Sequence, residues 1–163
     1  MTPILLLDFD GVLNALRSSQ GDHNSDWTDW ELNTVDGFTT LTSRSMAAAT
    51  AKIAETNWLT TWNENDSANI LLSPLLSIGP FPVAAAPPVN YDPLWKPRAV
   101  AGQLSTGRPV VWFDDEAEDL WAHWGKEKPN NLFLLAPNES RGLTRLELEA
   151  AADWLKKRSS SLP

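Results

Sequence analysis

Cysteine is absent from the 163 residues, which excludes disulfides, thiolate catalysis and Cys-type zinc sites. Histidine is scarce. His23 and His123 are the only two, too few for a polyhistidine metal centre. No uninterrupted apolar run approaches the roughly 20 residues that span a bilayer. The opening residues 1–7 carry no basic flank and run straight into Asp8, unlike a secretory leader. Positive charge is in the minority: 13 Lys and Arg against 21 Asp and Glu give a formal net charge of −8. That balance opposes passive, charge-driven binding to nucleic acid, while leaving room for a local or cation-assisted phosphate site. Together these absences point to a cytoplasmic protein with no membrane partner.

What is present fits one folded domain. Apolar residues make up 42% of the chain, near the globular norm, so a single buried core is expected. Nine tryptophans are a heavy load for this length and suggest aromatic-walled surfaces as well as core. The domain is expected to span residues 1–158. Within it lie a flap-type insertion at about 15–42 and a proline-rich loop at 77–93, and a frayed tail at 159–163 follows.

The periodicity alternates between strands and helices. Residues 4–7 form a continuous apolar run closed by Asp8, the pattern of a central parallel strand buried on both faces. A hairpin is expected with 29–33 pairing to 37–41 across 34–36. The Ala-rich stretch 43–55 has helical spacing. A short strand at 57–61, a helix at 66–76 and a helix at 95–104 follow. Residues 109–113 and 131–135 read as two further buried strands, separated by a helix at 116–124. Thr144 and Glu147 have the spacing of a capping box and open a last helix at 145–157. Strands alternating with helices predict an α/β class, a Rossmann-like open parallel sheet with helices on both faces. In such sheets ligands bind beyond the carboxyl ends of the strands.

Chemistry-bearing residues cluster at those ends. In extended backbone Asp8 and Asp10 point the same way while Phe9 turns into the core. Two carboxylates so close repel, so one holds a proton or a cation lies between them. Gly11 lets the chain turn sharply. The same residues also suit a plain strand end with an Asp-Gly turn. Thr60 and Thr61 stand at a second strand end, where hydroxyls and free N–H groups entering a helix make a phosphate cradle; β-branched residues in a strand, followed by Asn63 as a helix N-cap, are the simpler reading. Lys96, near a helix start, is placed to reach inward and neutralise phosphate charge, or else is a solvated surface lysine. Asp114, Asp115 and Glu116 close the third strand. They concentrate negative charge where desolvation is costly, unless a hard cation such as Mg²⁺ resolves it or the acids merely favour a helix N-terminus.

Taken in order (DxDG, Thr, Lys, DD), these motifs resemble the haloacid dehalogenase (HAD) superfamily of phosphohydrolases and phosphotransferases. The resemblance is strongest over residues 4–14, ILLLDFDGVLN, and over VVWFDDE at 110–116. It covers roughly residues 4–135. The pattern WLTTWNENDSAN followed by VVWFDDE resembles a small branch described as HAD domains of RNA-repair-type proteins. The resemblance implies a HAD-like core and a Mg²⁺-dependent phosphohydrolase that works through an aspartyl-phosphate. Asp8 would be the nucleophile and Asp10 the general acid and base. Asp8, Asp10 (through its main-chain carbonyl), Asp114 and Asp115 would serve the metal. Thr60, Thr61 and Lys96 would hold phosphate oxygens, Thr60 being preferred over Thr61. The short intervals around these motifs leave room for a minimal, flap-type cap and an open site. The expected partner is a phosphorylated substrate, a nucleotide or a nucleic-acid terminal phosphate. Trp27, Trp30, Trp62 and Trp95 are candidates to stack on bases at the entrance, or else pack in core and hairpin. Two other readings stand beside this one: a catalytically silent HAD-fold phosphate- or nucleotide-binding or regulatory protein, and phosphotransfer to a second substrate.

Overall fold

The computed structural model describes residues 1–16, 22–90 and 92–159. Its centre is a four-stranded, all-parallel sheet of β1 (Ile4–Leu7), β4 (Glu55–Trp58), β5 (Val110–Phe113) and β6 (Leu132–Leu135), ordered β4-β1-β5-β6. β1 lies in register with both neighbours, Leu7 opposite Trp58 on one side and Phe113 on the other. All four β1 residues are buried, as an internal parallel strand requires. The side-chain period of two divides the core between the faces. Leu5, Leu7, Val111 and Phe113 pack on one side with Met46, Leu76, Leu148, Ala151 and Leu155. Ile4, Leu6, Val110 and Trp112 pack on the other with Val100, Ala117 and Trp121.

Helices therefore cover both faces. α1 (Arg44–Thr50), α2 (Ser73–Leu76) and α5 (Arg145–Ser159) lie on the first, and α3 (Trp95–Leu104) and α4 (Ala117–Trp124) on the second. The expected α/β, Rossmann-like parallel sheet is present. α5 begins as the capping box predicts: the Thr144 N–H donates to Glu147 Oε2 (2.7 Å), and the Glu147 N–H donates to Thr144 Oγ1 (3.3 Å). Of the tail expected at 159–163, residues 160–163 lie outside the described residues.

Several boundaries differ from the sequence expectation. The hairpin is β2 (Trp30–Val35) with β3 (Phe38–Ser43), and it turns at Asp36 and Gly37 instead of 34–36. Both residues have positive φ, 48° and 81°, the two-residue turn whose twist matches paired strands. α1 stops at Thr50 because the chain must turn to bring Glu55 opposite Ile4, so sheet pairing overrides the helical propensity of 51–54. The expected helix at 66–76 is instead a 3-10 turn over Thr61–Asp66, a π turn over Ala68–Leu72 and then α2. Asn65 and Asp66 have positive φ, and Pro74 supplies no N–H to the ladder.

Of the loop expected at 77–93, residues 81–84 border the sheet edge, and residue 91 lies outside the described residues. Trp58 N–H donates to Pro82 O (2.8 Å), and Ala84 N–H donates to Trp58 O (2.9 Å). Asn69 clamps it there. Its Nδ2 donates to Phe81 O, and its Oδ1 accepts from Phe81 N–H, both at 2.9 Å.

Candidate metal and phosphate site

The strand order reverses direction at β1: the chain steps from β1 out to β4, then crosses back to β5. Ligand crevices in open α/β sheets form at such a switch point, outside the carboxyl ends of the strands. Asp8 follows β1 and Asp114 follows β5. Because Leu7 is opposite Phe113, the two aspartates leave the sheet side by side. The ladder continues into them, with Asp8 N–H donating to Phe113 O at 2.9 Å.

Lys96 enters this gap from the first turn of α3. Its Nζ lies 2.5 Å from Asp8 Oδ2 and 2.7 Å from Asp114 Oδ2. All three residues are buried, with relative exposures of 6% for Lys96, 5% for Asp8 and 0% for Asp114. The remaining oxygens are also engaged. Asp8 Oδ1 accepts from Phe9 N–H (2.7 Å), and Asp114 Oδ1 accepts from Glu116 N–H (2.9 Å).

Asp115 completes a group of three. Asp8, Asp114 and Asp115 each offer one carboxylate oxygen within 4.8 Å of the others, a set that could hold a metal ion. Gly11 makes room for it. At φ +70° a Cβ there would lie 2.4 Å from Asp115 Cγ, so only glycine allows this approach of the first motif to the second.

The electrostatics record a surplus of negative charge. Burial opposes the Lys96 ammonium, but Asp8 and Asp114 outweigh it and hold the group protonated well above the usual lysine range. Burial and the neighbouring Asp8 charge push Asp114 up to about 7, against the pull of Lys96. Burial, Asp8 and Glu116 push Asp115 up to about 6. One ammonium does not neutralise three carboxylates. A divalent cation with oxygen preference suits such a donor set.

Asp10 stands apart from the three. Its Oδ1 accepts from Asn14 Nδ2 (2.8 Å) and its Oδ2 from Trp62 Nε1 (3.0 Å), and it borders a cleft of about 550 Å³ beneath the hairpin tip. Thr60 is buried, and its Oγ1 accepts from Trp62 N–H (3.4 Å), capping the 3-10 turn. Thr61 is exposed and borders the cleft. Of the four tryptophans considered for the entrance, Trp62 lines this cleft. Trp27 is buried, with Nε1 donating to Leu143 O (2.7 Å). Trp30 packs at Gly142, and Trp95 packs partly buried against the α3–α4 side of the core.

Sequence reasoning gave no role to Asn14, which is central. While Nδ2 supports Asp10, Oδ1 accepts from Leu41 N–H (2.8 Å), so one amide ties the hairpin to the first acidic motif. Its signal was its place four residues after Asp10 in a buried run. Asn63 was read as a cap, but its Nδ2 bridges Trp58 O and Ala85 O (3.0 and 2.8 Å).

No protein-family model, no curated protein and no solved structure matches the chain.

Proposed function

We propose that the protein is a Mg²⁺-dependent phosphomonoester hydrolase of the HAD type, working through an aspartyl-phosphate. One observation carries the reading: Asp8, Asp114 and Asp115 converge from two strand ends, with one carboxylate oxygen of each within 4.8 Å of the others, and the buried Lys96 reaches Asp8 and Asp114 at the same point. Carboxylate oxygens in surplus over cationic charge match the donor preference of a hard divalent ion. Asp8, Asp114, Asp115 and the main-chain carbonyl of Asp10 would hold Mg²⁺. When bound, it supplies the charge neutralisation that lets an anionic nucleophile approach an anionic phosphate.

The chain's own groups do the rest. An Asp8 carboxylate oxygen forms a bond to phosphorus as the ester P–O bond breaks, giving an acyl phosphate. Asp10 delivers a proton to the departing alkoxide. It then takes one from the water that attacks phosphorus, and the bond to Asp8 breaks to release phosphate. The hydrogen bonds from Asn14 and Trp62 fix the Asp10 carboxyl toward the cleft. Thr60, Thr61 and Lys96 hold non-bridging oxygens, the lysine exchanging part of its hold on Asp8 for the phosphoryl group.

A second reading is a binding protein that turns nothing over. It is favoured by the engagement of both Asp8 oxygens, one by Phe9 N–H and one by Lys96. A chromogenic aryl phosphate separates the two. The hydrolase reading expects Mg²⁺-dependent release of the phenol, abolished by chelator. Turnover should be lost in Asp8→Asn, with the circular dichroism and thermal midpoint of a folded protein retained. Steady-state activity surviving in Asp8→Asn would discard Asp8 as nucleophile, and no release under any condition would favour the binding protein.

A further inference from the structure

The cleft beside Asp10 has two aromatic walls, Trp62 and Phe38, whose ring faces the hydrolytic scheme does not use. Phe38, on the β3 side, meets Trp62 edge to face, with ring centroids 5.8 Å apart and planes at 78°. Trp62 is the residue whose indole N–H holds Asp10. The aromatic wall therefore begins where a leaving group would sit. Phe38 is 63% exposed, a large apolar surface left in water at the mouth of a cleft of about 550 Å³. That volume lies within the range of small-molecule sites.

A second, independent feature borders the same space. Thr40 lies two residues along β3 from Phe38, on the same face of the strand, and lines the cleft. It is 1% exposed, and among the described residues its Oγ1 has no hydrogen-bond partner. A buried hydroxyl without a partner is costly, and a ligand atom that donates or accepts there removes the cost. A plain hydrocarbon ring leaves it unpaired, whereas a heterocycle with ring nitrogens or exocyclic polar groups does not.

Charge sets the third condition. Asp36 and Glu64 border the same cleft and are exposed, adding to Asp10. Phosphates beyond the one being transferred would meet this rim and be repelled.

We propose that this cleft is the subsite for the alcohol half of the substrate, and that it selects a single-phosphate ester of a flat, hydrogen-bonding heterocyclic group: a nucleoside monophosphate, in preference to a nucleoside diphosphate, a polynucleotide end or a sugar phosphate. The inference rests on the hydrolase reading for its chemistry and on the cleft alone for its recognition.

The test has two arms, so that the two can fail separately. The first is calorimetric binding of adenosine 5′-monophosphate and ribose 5-phosphate to the full chain and to Phe38→Ala and Thr40→Val, with Mg²⁺. The subsite predicts tighter binding of the nucleotide and a loss of about tenfold in its affinity in Phe38→Ala, at the low end of base-on-aromatic stacking. Thr40→Val, nearly isosteric, should weaken the nucleotide relative to the sugar phosphate. The second arm is the ratio of kcat/KM for the monophosphate over ribose 5-phosphate and over adenosine diphosphate. Both ratios should exceed ten. The first should fall about tenfold in Phe38→Ala, and the second should fall in Asp36→Asn/Glu64→Gln. Phe38-dependent binding without turnover would uphold the subsite and discard the hydrolase. Turnover of all three compounds alike, with Phe38→Ala changing neither affinity nor either ratio, would overturn the subsite and leave the hydrolase standing. Equal affinity for nucleotide and sugar phosphate in the unmutated chain would also overturn it.

Discussion

Lys96 sets the electrostatics of the strand-end site from a single side chain. Its ammonium touches both Asp8 and Asp114, and all three are buried. Lys96→Met keeps most of the stem but leaves two carboxylates facing each other with no counter-charge. Removing one partner of a buried ion pair costs about 3–5 kcal/mol, and urea unfolding in chelator at neutral pH should show a loss of that order. The loss should shrink as pH falls. Asp114 and Asp115 have folded-state values pushed up to about 7 and about 6 from an ordinary 3.8. A carboxyl raised in this way favours the fold fully below its unfolded value, and the contribution fades as pH rises through the folded value. As Asp114 and Asp115 become neutral, less charge is left for the lysine to offset, so the deficit of the variant should narrow as pH falls from about 7 to about 5. A deficit that stays constant over that range would assign the effect to lost packing of the stem. Lys96 itself was legible as a residue type at a helix start, but its burial was not. No spacing rule reveals that α3 aims its first turn at the gap between β1 and β5. The contact of Gly11 with Asp115 was hidden for the same reason, since it joins residues more than a hundred positions apart.

At the scale of elements, Asn14 joins the hairpin to the acidic turn after β1. One amide donates to Asp10 and accepts from Leu41, while the Asn14 backbone bridges to Thr42. Asn14→Ala leaves the buried Leu41 N–H without its acceptor, a cost of about 1–3 kcal/mol. The damage should be local, because the hairpin forms its own two-stranded sheet. Amide exchange over β2 and β3 should accelerate while the β1 and β5 amides stay protected; acceleration spread evenly over both sheets would show that the hairpin and the parallel sheet open as one unit. The hairpin was legible from its alternation, yet its turn was expected one place early. Asp36-Gly37 carried the stronger signal, since that turn needs positive φ at both central residues. β1, β5 and β6 were read to within a residue, the first two because an apolar run ended by acids has few other interpretations, whereas the strand expected at 57–61 lies at Glu55–Trp58, where pairing with β1 sets its register. The segment at 61–76 was not legible, because its course depends on Thr60 capping a turn, on left-handed Asn65 and Asp66 and on Pro74. These are local exceptions that a helical period averages away.

For the whole molecule, the order β4-β1-β5-β6 places the reversal of strand order beside β1, and the acids of the two central strands stand at that switch point. Fold class was therefore recoverable from the alternation of strands and helices, and with it the edge on which a site must lie. Among the described residues no helix is long and apolar enough to cross a membrane. Net charge adds a property that no single residue holds. At −8 the molecule repels an anionic substrate at distances where individual contacts do not act, and salt screens that repulsion. For a nucleoside monophosphate, kcat/KM should rise modestly as ionic strength goes from about 20 mM to about 200 mM, a range over which the Debye length shortens to near 10 Å or below. A polynucleotide held along a basic groove would behave in the opposite way, because its binding weakens steeply as salt replaces released counterions. A rising profile for the small substrate fits an acidic protein whose attraction for phosphate is confined to one buried lysine and a bound cation. A steep fall would mean that the molecule presents an extended positive surface to its substrate, and the acidic rim at Asp36 and Glu64 could then not be what the substrate meets first.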